Sequence, residues 1–468
     1  MKGDVKMLPY IRKKLIEPLW AVKTKSPLLN YWKKLENSQY LPEDVLRQRQ
    51  WVKLNEIIEY AYHHNKFYRN SFRRAEVRPN DIQCFDDMRL LPIITKEDIR
   101  NNYDKLISEG FEKNKLLRSK TGGSTGTSLE IFKTEECSEL KNACARRSDR
   151  WSGWEPGEPI GAVWGNPPYP ETFKDWLINW LLSPHIYLDT INLNERSVMH
   201  FAHEWQKVKS TLLFGHSHSL FLLAKYVKKL GIDSIKPKAI ISTSMMLMPQ
   251  ERSVIEKVFG VKVFDRYGCE EVSLIAAECE RHEGMHINIE HVFVEFIKPD
   301  GSYAKPGEEG TIVVTDLLNR AMPFIRYEVE DIGIPSDRRC SCGRGLPLME
   351  RVVGRVADFL VRKDGSLVAG VSLIERTLTA IMGIQQMQIV QKSVDDIVVN
   401  IVKERSFNEK SEKKLIYELK KVLGSSVNIC IVFVDKIHQE KSGKYRFAIS
   451  HIKPPYISNN KDDISMIA

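Results

Sequence analysis

The stretch that most constrains this chain runs from Lys120 to Thr134 and reads KTGGSTGTSLEIFKT. Residues 121–128 are all glycines or small hydroxyl residues. Glycines allow the positive backbone dihedrals that direct successive N–H groups into one concavity, and hydroxyl groups add donors for phosphoryl oxygens. The P-loop of NTPases would instead require GxxxxGK[ST] before a helix, whereas LEIF at 129–132 predicts a strand. The stretch alone fits either a phosphate-binding loop or a flexible surface turn, so the rest of the chain must decide.

Composition excludes several protein classes. With 468 residues and 42% hydrophobic content, the chain can bury a sizeable core, and its length predicts two or three domains. The sequence contains no run of 18 apolar residues that would predict a transmembrane segment, and its N-terminus lacks the apolar region of a signal peptide. We therefore expect a cytoplasmic protein. Eight cysteines are too few for a disulfide scaffold. A net charge of +9, diluted over a large surface, suits anionic small substrates and does not indicate nucleic-acid binding.

Hydrophobic periodicity predicts a mixed α/β protein. Over residues 151–249, apolar runs such as IGAVWG and KAIISTSMM alternate with amphipathic helices, which is typical of buried parallel strands. Further along, short alternating strands appear, with a hairpin signal at Asp300-Gly301. Near the N-terminus, Thr95 is the predicted cap of a short helix. The apolar segment 176–184 (WLINWLLSP) fits either a pocket lining or the core, and the core is the interpretation we favour.

Beyond Gly354 the sequence predicts a small α+β unit. Strands in MQIVQKSVDDIVVNIV precede a helix from about Asn408 to Leu423 and a last strand, NICIVFVD. The polar tail from Ser458 onward has no apolar periodicity, and we expect it to be disordered.

Five informative stretches follow one another along the chain. They are TGGSTGT (121–127), DRYGCEEV (265–272), FIRYEVEDIG (324–333), RVVGRVADFLVRKDG (351–365) and EKSGKYR (440–446). Their order, spacing and wording resemble the adenylate-forming (acyl-AMP) ligase superfamily, and more closely its phenylacetate-CoA ligase and CapK (capsule polysaccharide biosynthesis) branch. The resemblance covers nearly the whole chain, and the ordered set is far more specific than any single motif.

The resemblance implies an adenylate-forming ligase fold with two domains. A large N-terminal α/β domain with a β-barrel-like part, residues 1–354, would hold the ATP and acyl sites. A small mobile α+β domain, residues 355–457, would carry Lys444, and residues 458–468 would form the tail. The first step would join a carboxylate to the α-phosphate of ATP, giving an acyl-adenylate and pyrophosphate. The second step would pass the acyl group to a thiol or an amine.

The resemblance also assigns residues that bind ATP and magnesium. The β- and γ-phosphates would be held by Ser124, Thr125, Gly126 and Thr127. In the aromatic-Gly-x-x-Glu pattern of DRYGCEEV, Tyr267 would lie against adenine beside Gly268. Glu271 would bind the Mg²⁺ ion that bridges phosphate oxygens. These residue types suit a site that retains pyrophosphate as a leaving group.

Four further positions match residues of the family that act on the ribose and the reacting carboxylate. Asp331 would accept hydrogen bonds from the ribose hydroxyls. Arg355 matches an arginine near the ribose and phosphates, and Asp358 matches the hinge about which the small domain turns. Lys444 matches the lysine that reaches the carboxylate and the α-phosphate, where its positive charge stabilises negative charge that develops in the transition state.

The chain departs from the family pattern in two places. Residues 126–128 read Gly-Thr-Ser where relatives often have Gly-Lys-Pro. Either Lys120 or Lys133 replaces the missing loop lysine, or the affinity for phosphate is lower. Segment 242–247 (STSMML) lacks the glutamate that is common in relatives, so the adenine-pocket role of Ser244 rests on its position alone.

Cysteine and histidine spacing predicts a metal site. Thiolates and imidazole are preferred zinc ligands, and four of them complete a tetrahedron. The related branch often has a cysteine, a histidine seven residues later and a CxC pair, which correspond here to Cys279, His286, Cys340 and Cys342. His282 is the reserve ligand, and the alternative is a set of reduced cysteines on two loops. Such a zinc would be structural, because four protein ligands leave no open position.

The acyl pocket is placed by analogy with the family. Its candidate residues are Trp164, Tyr169, His216 and His218. The donor acid is not readable, and three functions remain open. The chain is a ligase that transfers a small carboxylic acid to coenzyme A, an amide ligase whose acceptor is an amine such as an amino sugar of a surface polysaccharide, or an inactive nucleotide-binding homologue. Cys269 beside two glutamates is not expected to act as a nucleophile, because the carboxylates raise a thiol pKa.

Overall fold

The computed structural model describes residues 4–120, 129–165, 167–190, 193–245, 247, 249–298, 300–352, 359–365, 367–370, 373, 374, 377, 380–437 and 448–452. Within these ranges an eleven-stranded sheet and a four-stranded sheet organise the fold, together with two strand pairs. The predicted α/β class is confirmed. Among the described residues, no helix combines the length and apolar character needed to cross a bilayer.

Helices make up most of the N-terminal part and flank the parallel strands. They are α1 (Asp4–Ile11), α2 (Glu17–Thr24), α3 (Leu28–Ser38), α4 (Glu43–His64), α5 (Lys66–Arg74), α6 (Lys96–Asn101), α7 (Tyr103–Leu106), α8 (Glu135–Arg150), α9 (Phe173–Leu182), α10 (Glu195–Val208), α11 (Ser217–Leu230), α12 (Pro249–Phe259) and α13 (Glu409–Leu423). A π-helical turn, Arg12–Ile16, joins α1 to α2. Short 3-10 helices span Pro79–Asp81, Phe85–Leu90 and Lys113–Lys115.

Two predicted helix starts are confirmed by their caps. The Thr95 hydroxyl accepts from the Asp98 backbone N–H, and the Asp98 carboxylate accepts from the Thr95 backbone, so both ends of a capping box are present before α6. The Asn408 side chain accepts from the backbone N–H groups of Lys410 and Ser411 and begins α13.

The strands are short. They are β1 (Leu117–Lys120), β2 (Glu130–Lys133), β3 (Ile160–Trp164), β4 (His185–Asp189), β5 (Leu212–His216), β6 (Ala239–Thr243), β7 (Val263–Cys269), β8 (Ser273–Glu278), β9 (Met285–Ile287), β10 (Val292–Ile297), β11 (Gly310–Asp316), β12 (Tyr327–Pro335), β13 (Leu348–Val352), β14 (Phe359–Val361), β15 (Leu367–Ala369), β16 (Ile384–Gln391), β17 (Asp396–Lys403), β18 (Asn428–Phe433) and β19 (Ala448–Ser450). The predicted strand LEIF corresponds to β2, which pairs with β1 on the other side of the glycine-rich loop.

The large sheet changes from parallel to antiparallel pairing at β7. Its order is β10-β11-β12-β13-β9-β8-β7-β6-β5-β3-β4. Strands β3 to β7 pair in parallel, whereas β7 with β8 and the strands beyond it are antiparallel. The predicted hairpin at residues 300 and 301 is confirmed, since Gly301 N donates to Lys298 O and Lys298 N donates to Ser302 O. The buried parallel strands and the short alternating strands that the sequence predicts therefore belong to one sheet.

The antiparallel half curls back toward β7. Three strands, β8, β9 and β13, separate β7 from β12 in the sheet order. Even so, Tyr267 on β7 is hydrogen-bonded to Asp331 on β12 over 3.0 Å. Neighbouring strands in a sheet lie about 4.8 Å apart. Strands four positions apart can therefore come into contact only when the sheet curves.

Close packing around the parallel strands requires glycine at one position. A Cβ atom on Gly161 would lie 2.3 Å from the Trp205 ring and 2.9 Å from the Phe201 ring. Both aromatic residues belong to the amphipathic face of α10, which covers this part of the sheet. A side chain at residue 161 would push α10 away from β3.

The N-terminal and C-terminal parts of the chain have separate hydrophobic clusters. One combines α4 and its neighbours with the antiparallel strands, and a second lies around β3 to β7. A third contains only residues from Leu360 to Ala448, between α13 and the four-stranded sheet. This agrees with a separate C-terminal unit, but the predicted boundary at residue 354 falls in 353–358, outside the described part. The predicted tail, 458–468, also lies outside it.

The interpretation of segment 176–184 as core is wrong. Trp176 is 49% exposed and Trp180 is 44% exposed on α9. Their helical spacing correctly indicates one apolar face, but periodicity does not reveal whether that face meets the protein interior or the solvent.

Candidate functional site

The candidate site lies where the parallel strands end. Trp164, His216 and Thr243 are the last residues of β3, β5 and β6, and these strands are neighbours in the order β3-β5-β6. Strand β7 follows β6 and carries the Tyr267 motif. Ligands of open α/β sheets bind at the carboxyl ends of the strands, so the topology brings the predicted acyl and adenine residues to one edge.

Two hydrogen bonds connect the DRYGCEEV motif with the FIRYEVEDIG motif. The Tyr267 hydroxyl donates to Asp331 Oδ2 over 3.0 Å. The Tyr327 hydroxyl donates to Glu271 Oε1 over 2.7 Å. Glu271 and Asp331 are 4% and 5% exposed, so both carboxylates are held in a largely desolvated environment. The candidate magnesium ligand and the candidate ribose acceptor are therefore each held by a hydrogen bond between the same two motifs.

The close approach of the neighbouring backbone requires a glycine at residue 268 of the adenine motif. A Cβ atom on Gly268 would lie 2.5 Å from Ser273 O, which is far inside the van der Waals limit. The register of β7 and β8 shifts between Tyr267 and Gly268. This bulge re-aims the chain just before Glu271, as bulges commonly do beside functional sites.

A buried ion pair next to Glu271 was not predicted from the sequence. Lys141 on α8 lies with its Nζ atom 2.5 Å from Asp316 Oδ2 and 3.5 Å from the backbone oxygen of Glu271. Asp316 and Lys141 are 0% and 2% exposed. The helical position of Lys141 resembles any surface lysine, and its partner is 175 residues away. Sequence spacing alone gives no signal for such a pair.

Cys269 is poorly suited to nucleophilic chemistry. Burial first and the neighbouring Glu271 carboxylate second raise the pKa of the Cys269 thiol well above its ordinary value. The thiol therefore stays protonated at neutral pH. The sequence argument reached the same direction through the glutamates, but burial is the larger cause.

A chain of hydrogen bonds supports the loop that follows β6. The Ser242 hydroxyl donates to Asp265 Oδ1 over 2.8 Å and lies 2.8 Å from the Ser217 hydroxyl. Ser217 in turn donates to Met245 O over 2.7 Å. Ser244, a candidate adenine-pocket residue, has a φ of 67°, a left-handed conformation that costs energy for a non-glycine residue. The hydroxyl chain holds this strained turn against β7.

The structure brings two of the acyl-pocket candidates together. The rings of Trp164 and His216 lie 4.1 Å apart between centroids. His216 is 1% exposed, and burial lowers the pKa of its imidazole to about 4, so the ring is neutral at pH 7. Tyr169 instead packs against Tyr187, 5.5 Å between ring centroids, and is 56% exposed. The side chain of His218 is outside the described part.

Several predicted site residues fall outside the described ranges. They are Ser124, Thr125, Gly126, Thr127, Arg355, Asp358 and Lys444. Of the two lysines that could replace the missing loop lysine, Lys133 lies with its Nζ atom 4.0 Å from Glu270 Oε1. It is the last residue of β2 and pairs with Leu117, at the end of the strand pair away from the loop, whereas Lys120 is the last residue of β1 before the loop.

The four predicted zinc ligands form a compact cluster. The ligand atoms of Cys279, His286, Cys340 and Cys342 all lie within 4.8 Å of one another. Cys279 Sγ is 3.5 Å from Cys340 Sγ, and Cys342 Sγ is 3.3 Å from His286 Nε2. With zinc–sulfur bonds of about 2.3 Å, sulfurs of a tetrahedral site lie about 3.8 Å apart. The donor set and its spacing thus fit a zinc ion.

The surroundings of the cluster orient its ligands. His286 Nδ1 lies 3.1 Å from Leu346 O, which can only accept, so Nδ1 carries the proton and Nε2 points to the cysteines. Backbone N–H groups of Arg281 and Arg344 donate to the sulfurs of Cys279 and Cys342. His282, the reserve ligand, is instead 3.1 Å from Glu278 Oε2 and is not in the cluster.

The electrostatics of the cluster also favour a cation. Burial alone would raise the pKa of the Cys342 thiol, but hydrogen bonds from His286 and the Arg344 backbone lower it to about 6. Burial raises the pKa of Cys340. A Zn²⁺ ion would also displace the Cys340 proton, because the thiolate is the form that binds metal.

Comparisons with known proteins found similar sequences and a similar fold. The family model of the CapK C-terminal domain matches residues 360–451. Protein CapK of Staphylococcus aureus is 26% identical over 407 residues, which cover 86% of this chain and 88% of that protein. Phenylacetate-coenzyme A ligase of Escherichia coli (strain K12) is 25% identical over 337 residues, which cover 70% of this chain and 75% of that protein.

A solved structure shares the fold at lower identity. 2-Hydroxyisobutyryl-CoA ligase in complex with 2-HIB-AMP and CoA superposes with a TM-score of 0.61 at 17% identity, and the match covers 92% of this chain and 94% of that one. The fold class predicted from the five motifs is thereby confirmed. The family model of the C-terminal domain and the two curated relatives confirm the resemblance to CapK and the phenylacetate-CoA ligases that the five motifs indicated.

Proposed function

We propose that this chain is an ATP-dependent ligase that activates a small carboxylic acid as an acyl-adenylate and transfers the acyl group to coenzyme A. The observation that carries the proposal is the group formed by Glu271, Tyr327, Asp331 and Tyr267 at the carboxyl edge of the parallel strands. It brings together an acidic group for a hard cation and an acceptor for hydroxyl groups. A nucleotide with Mg²⁺ needs both.

The residues divide the work as follows. Glu271, held by Tyr327, would bind Mg²⁺, which neutralises phosphate charge as pyrophosphate leaves. Asp331, held by Tyr267, would fix the ribose. Trp164 and the neutral His216 would line the pocket for a small, mostly apolar acyl group. Lys444, supplied by the C-terminal domain, would stabilise the charge on the α-phosphate and carboxylate.

The proposal is tested by carboxylate-dependent exchange of pyrophosphate into ATP across aryl, fatty and amino acids. We expect exchange with one class of acid, abolished in Glu271→Gln and in Lys444→Ala. The matched control is Glu270→Gln, the exposed neighbour, which should keep most of the activity. If ATP binds but no acid supports exchange, the chain is an inactive nucleotide-binding homologue, and the ligase proposal fails.

An amide ligase is the second candidate, favoured by the match to CapK over 88% of that protein. The acid identified by exchange would be used to form the acyl-adenylate on the protein. Adding coenzyme A or an amino sugar and measuring AMP release separates the two acceptors. AMP release with the amino sugar and not with coenzyme A would replace the thioester proposal.

We also propose that the cluster of Cys279, His286, Cys340 and Cys342 holds one structural Zn²⁺ ion. Its support is the donor set, its spacing and the Leu346 carbonyl that fixes the imidazole. The ion would tie the turn after β8 to the loop before β13. It would take no part in the reaction, because the protein ligands complete its coordination.

A further inference from the structure

The N-terminal helices and α9 lie side by side at the surface. Arg12 joins them: its Nη2 atom donates to Trp180 O over 2.8 Å, and its guanidinium lies 5.8 Å from the centre of the Trp180 ring. Arg12 itself is 4% exposed, so this junction is packed. We call the exposed apolar face of residues 7–22 together with that of residues 173–180 the docking surface.

On α9 the docking surface is a stripe of four residues. Phe173, Trp176, Leu177 and Trp180 follow the i, i+3, i+4, i+7 pattern of one helix face. They are 77%, 49%, 36% and 44% exposed, and the rings of Trp176 and Trp180 stack with centroids 6.5 Å apart. Such a stripe normally faces a core, and here it faces the solvent.

The N-terminal helices expose a second apolar stripe. Leu15, Leu19 and Val22, spaced four and three residues apart, are 56%, 62% and 78% exposed, and Leu8, seven residues before Leu15 in α1, is 38% exposed. Soluble surfaces rarely keep so many large apolar side chains contiguous unless something covers them.

Positive charge accompanies the apolar stripe. Residues 1–25 contain seven basic and two acidic side chains and so supply five of the nine net positive charges of the chain. Lys14, Lys23 and Lys25 are exposed next to the stripe. Of the acidic residues near α9, Asp175 is engaged in capping the helix through Thr172. The covering partner is therefore apolar and anionic.

We propose that the docking surface binds an anionic lipid bilayer, with α1, α2 and α9 lying in the plane of its interface. Exposed tryptophan, phenylalanine and leucine next to lysine are the side chains that interfacial helices use. A second copy of this chain fits less well, because a two-fold contact would place the positively charged segment against itself. The inference rests on the surface alone and not on the proposed ligase function.

The position of the docking surface leaves the candidate active site open. A cavity of about 1240 Å³ opens between the N-terminal segment and α9. Pro159, Pro184, Thr211 and Lys238 line it, and each immediately precedes one of the strands β3, β4, β5 and β6. The docking surface thus adjoins the amino edge of the parallel strands, whereas the candidate site lies at their carboxyl edge.

The test is flotation of the full chain with phosphatidylcholine vesicles that contain or lack about a quarter phosphatidylglycerol. We expect binding to the anionic vesicles that weakens as salt is added. The double variant Leu19→Asp/Val22→Asp should lower the vesicle affinity about tenfold or more, since two apolar contacts become charged. Replacing Lys14, Lys23 and Lys25 by glutamine should lower it about fivefold for each lysine removed.

The matched control is Met382→Asp/Tyr417→Asp, which changes two apolar side chains that are 76% and 64% exposed elsewhere. It should bind as the unmodified chain does. Thermal unfolding of each variant checks that it folds. Absence of binding to anionic vesicles, or equal binding by Leu19→Asp/Val22→Asp, overturns the proposal. A lipid-free dimer that this variant converts to a monomer also overturns it and makes a second copy the partner.

Discussion

Tyr327 is a buried phenol whose hydroxyl holds one oxygen of the Glu271 carboxylate. Tyr327→Phe removes that donor and keeps the ring, so we expect the packing to survive and the carboxylate to lose its orientation. A hydrogen bond to a charged group contributes about 1.5–3 kcal/mol, which corresponds to a fall of roughly tenfold or more in kcat/KM for exchange. The Mg²⁺ concentration for half-maximal activity should rise.

The control for this variant is Tyr303→Phe, which removes a similar hydrogen bond, from Tyr303 to Glu295 Oε1 over 3.1 Å. Its Mg²⁺ dependence should match that of the unmodified chain. Equal effects of both substitutions would mean that Tyr327 stabilises the fold only and does not position the Glu271 carboxylate.

Asp265 makes stability depend on pH. Burial first and then the Glu278 carboxylate raise the pKa of Asp265 to about 7, from an ordinary value of 3.8. Between these values the folded chain keeps a proton that the unfolded chain has released, so the free energy of unfolding falls as pH rises and levels off above about 7. Asp265→Asn should flatten this dependence by on the order of 1 kcal/mol per pH unit in urea unfolding.

The matched variant for Asp265 is Asp233→Asn at an exposed position, which should retain the pH slope of the unmodified chain. An unchanged slope in Asp265→Asn would contradict the assignment. Asp265→Asn should also affect the loop after β6 at the candidate site, because the Asp265 carboxyl accepts from Ser242 in the hydroxyl chain that supports Met245.

At the level of elements, the sequence predicted the secondary structure of each segment better than the contacts that the segment makes. The helical spacing of α9 was readable, but its exposure depends on α1 and α2, more than 140 residues earlier. The contact between Tyr327 and Glu271 spans 56 residues and depends on how strongly the antiparallel strands curl. Local patterns carry no information about that curvature, so the motifs were found and the hydrogen bonds between them were not.

The choice between His282 and His286 shows the same division. Both histidines follow Cys279 at plausible spacing. His286 lies on β9, paired with β13 and so next to the CxC loop, whereas His282 occupies a left-handed turn with a φ of 53°. Strand pairing brings His286 and not His282 into the cluster, and only the structure reports the pairing.

Removing a ligand of this cluster should free the turn after β8. Cys340→Ser should lower the zinc content from about one ion per chain and destabilise the chain by on the order of a few kcal/mol, because the metal joins segments 61 residues apart. Metal analysis and thermal unfolding measure both effects. Cys84→Ser, at an exposed cysteine outside the cluster, should change neither. A chain purified without zinc at full stability would exclude a structural ion.

The whole molecule should unfold in two parts. Among the described residues, the third hydrophobic cluster draws only on residues from Leu360 to Ala448, whereas Val361 packs into the cluster around β5. Leu419, 0% exposed in the third cluster, and Leu223, 0% exposed in the second, are matched sites. Each change to alanine should cost about 2–5 kcal/mol, but in a different part of the chain.

Hydrogen exchange read by mass spectrometry distinguishes the two parts. In Leu419→Ala the amides of β16 and β17 should exchange faster while those of β5 and β6 keep their protection, and Leu223→Ala should give the reverse. Independent unfolding would fit the proposed rotation of the small domain between two reaction steps, since a joint core would resist that rotation. If either substitution accelerates exchange in both sheets equally, the chain unfolds as one unit, and the proposed boundary at residue 354 is wrong.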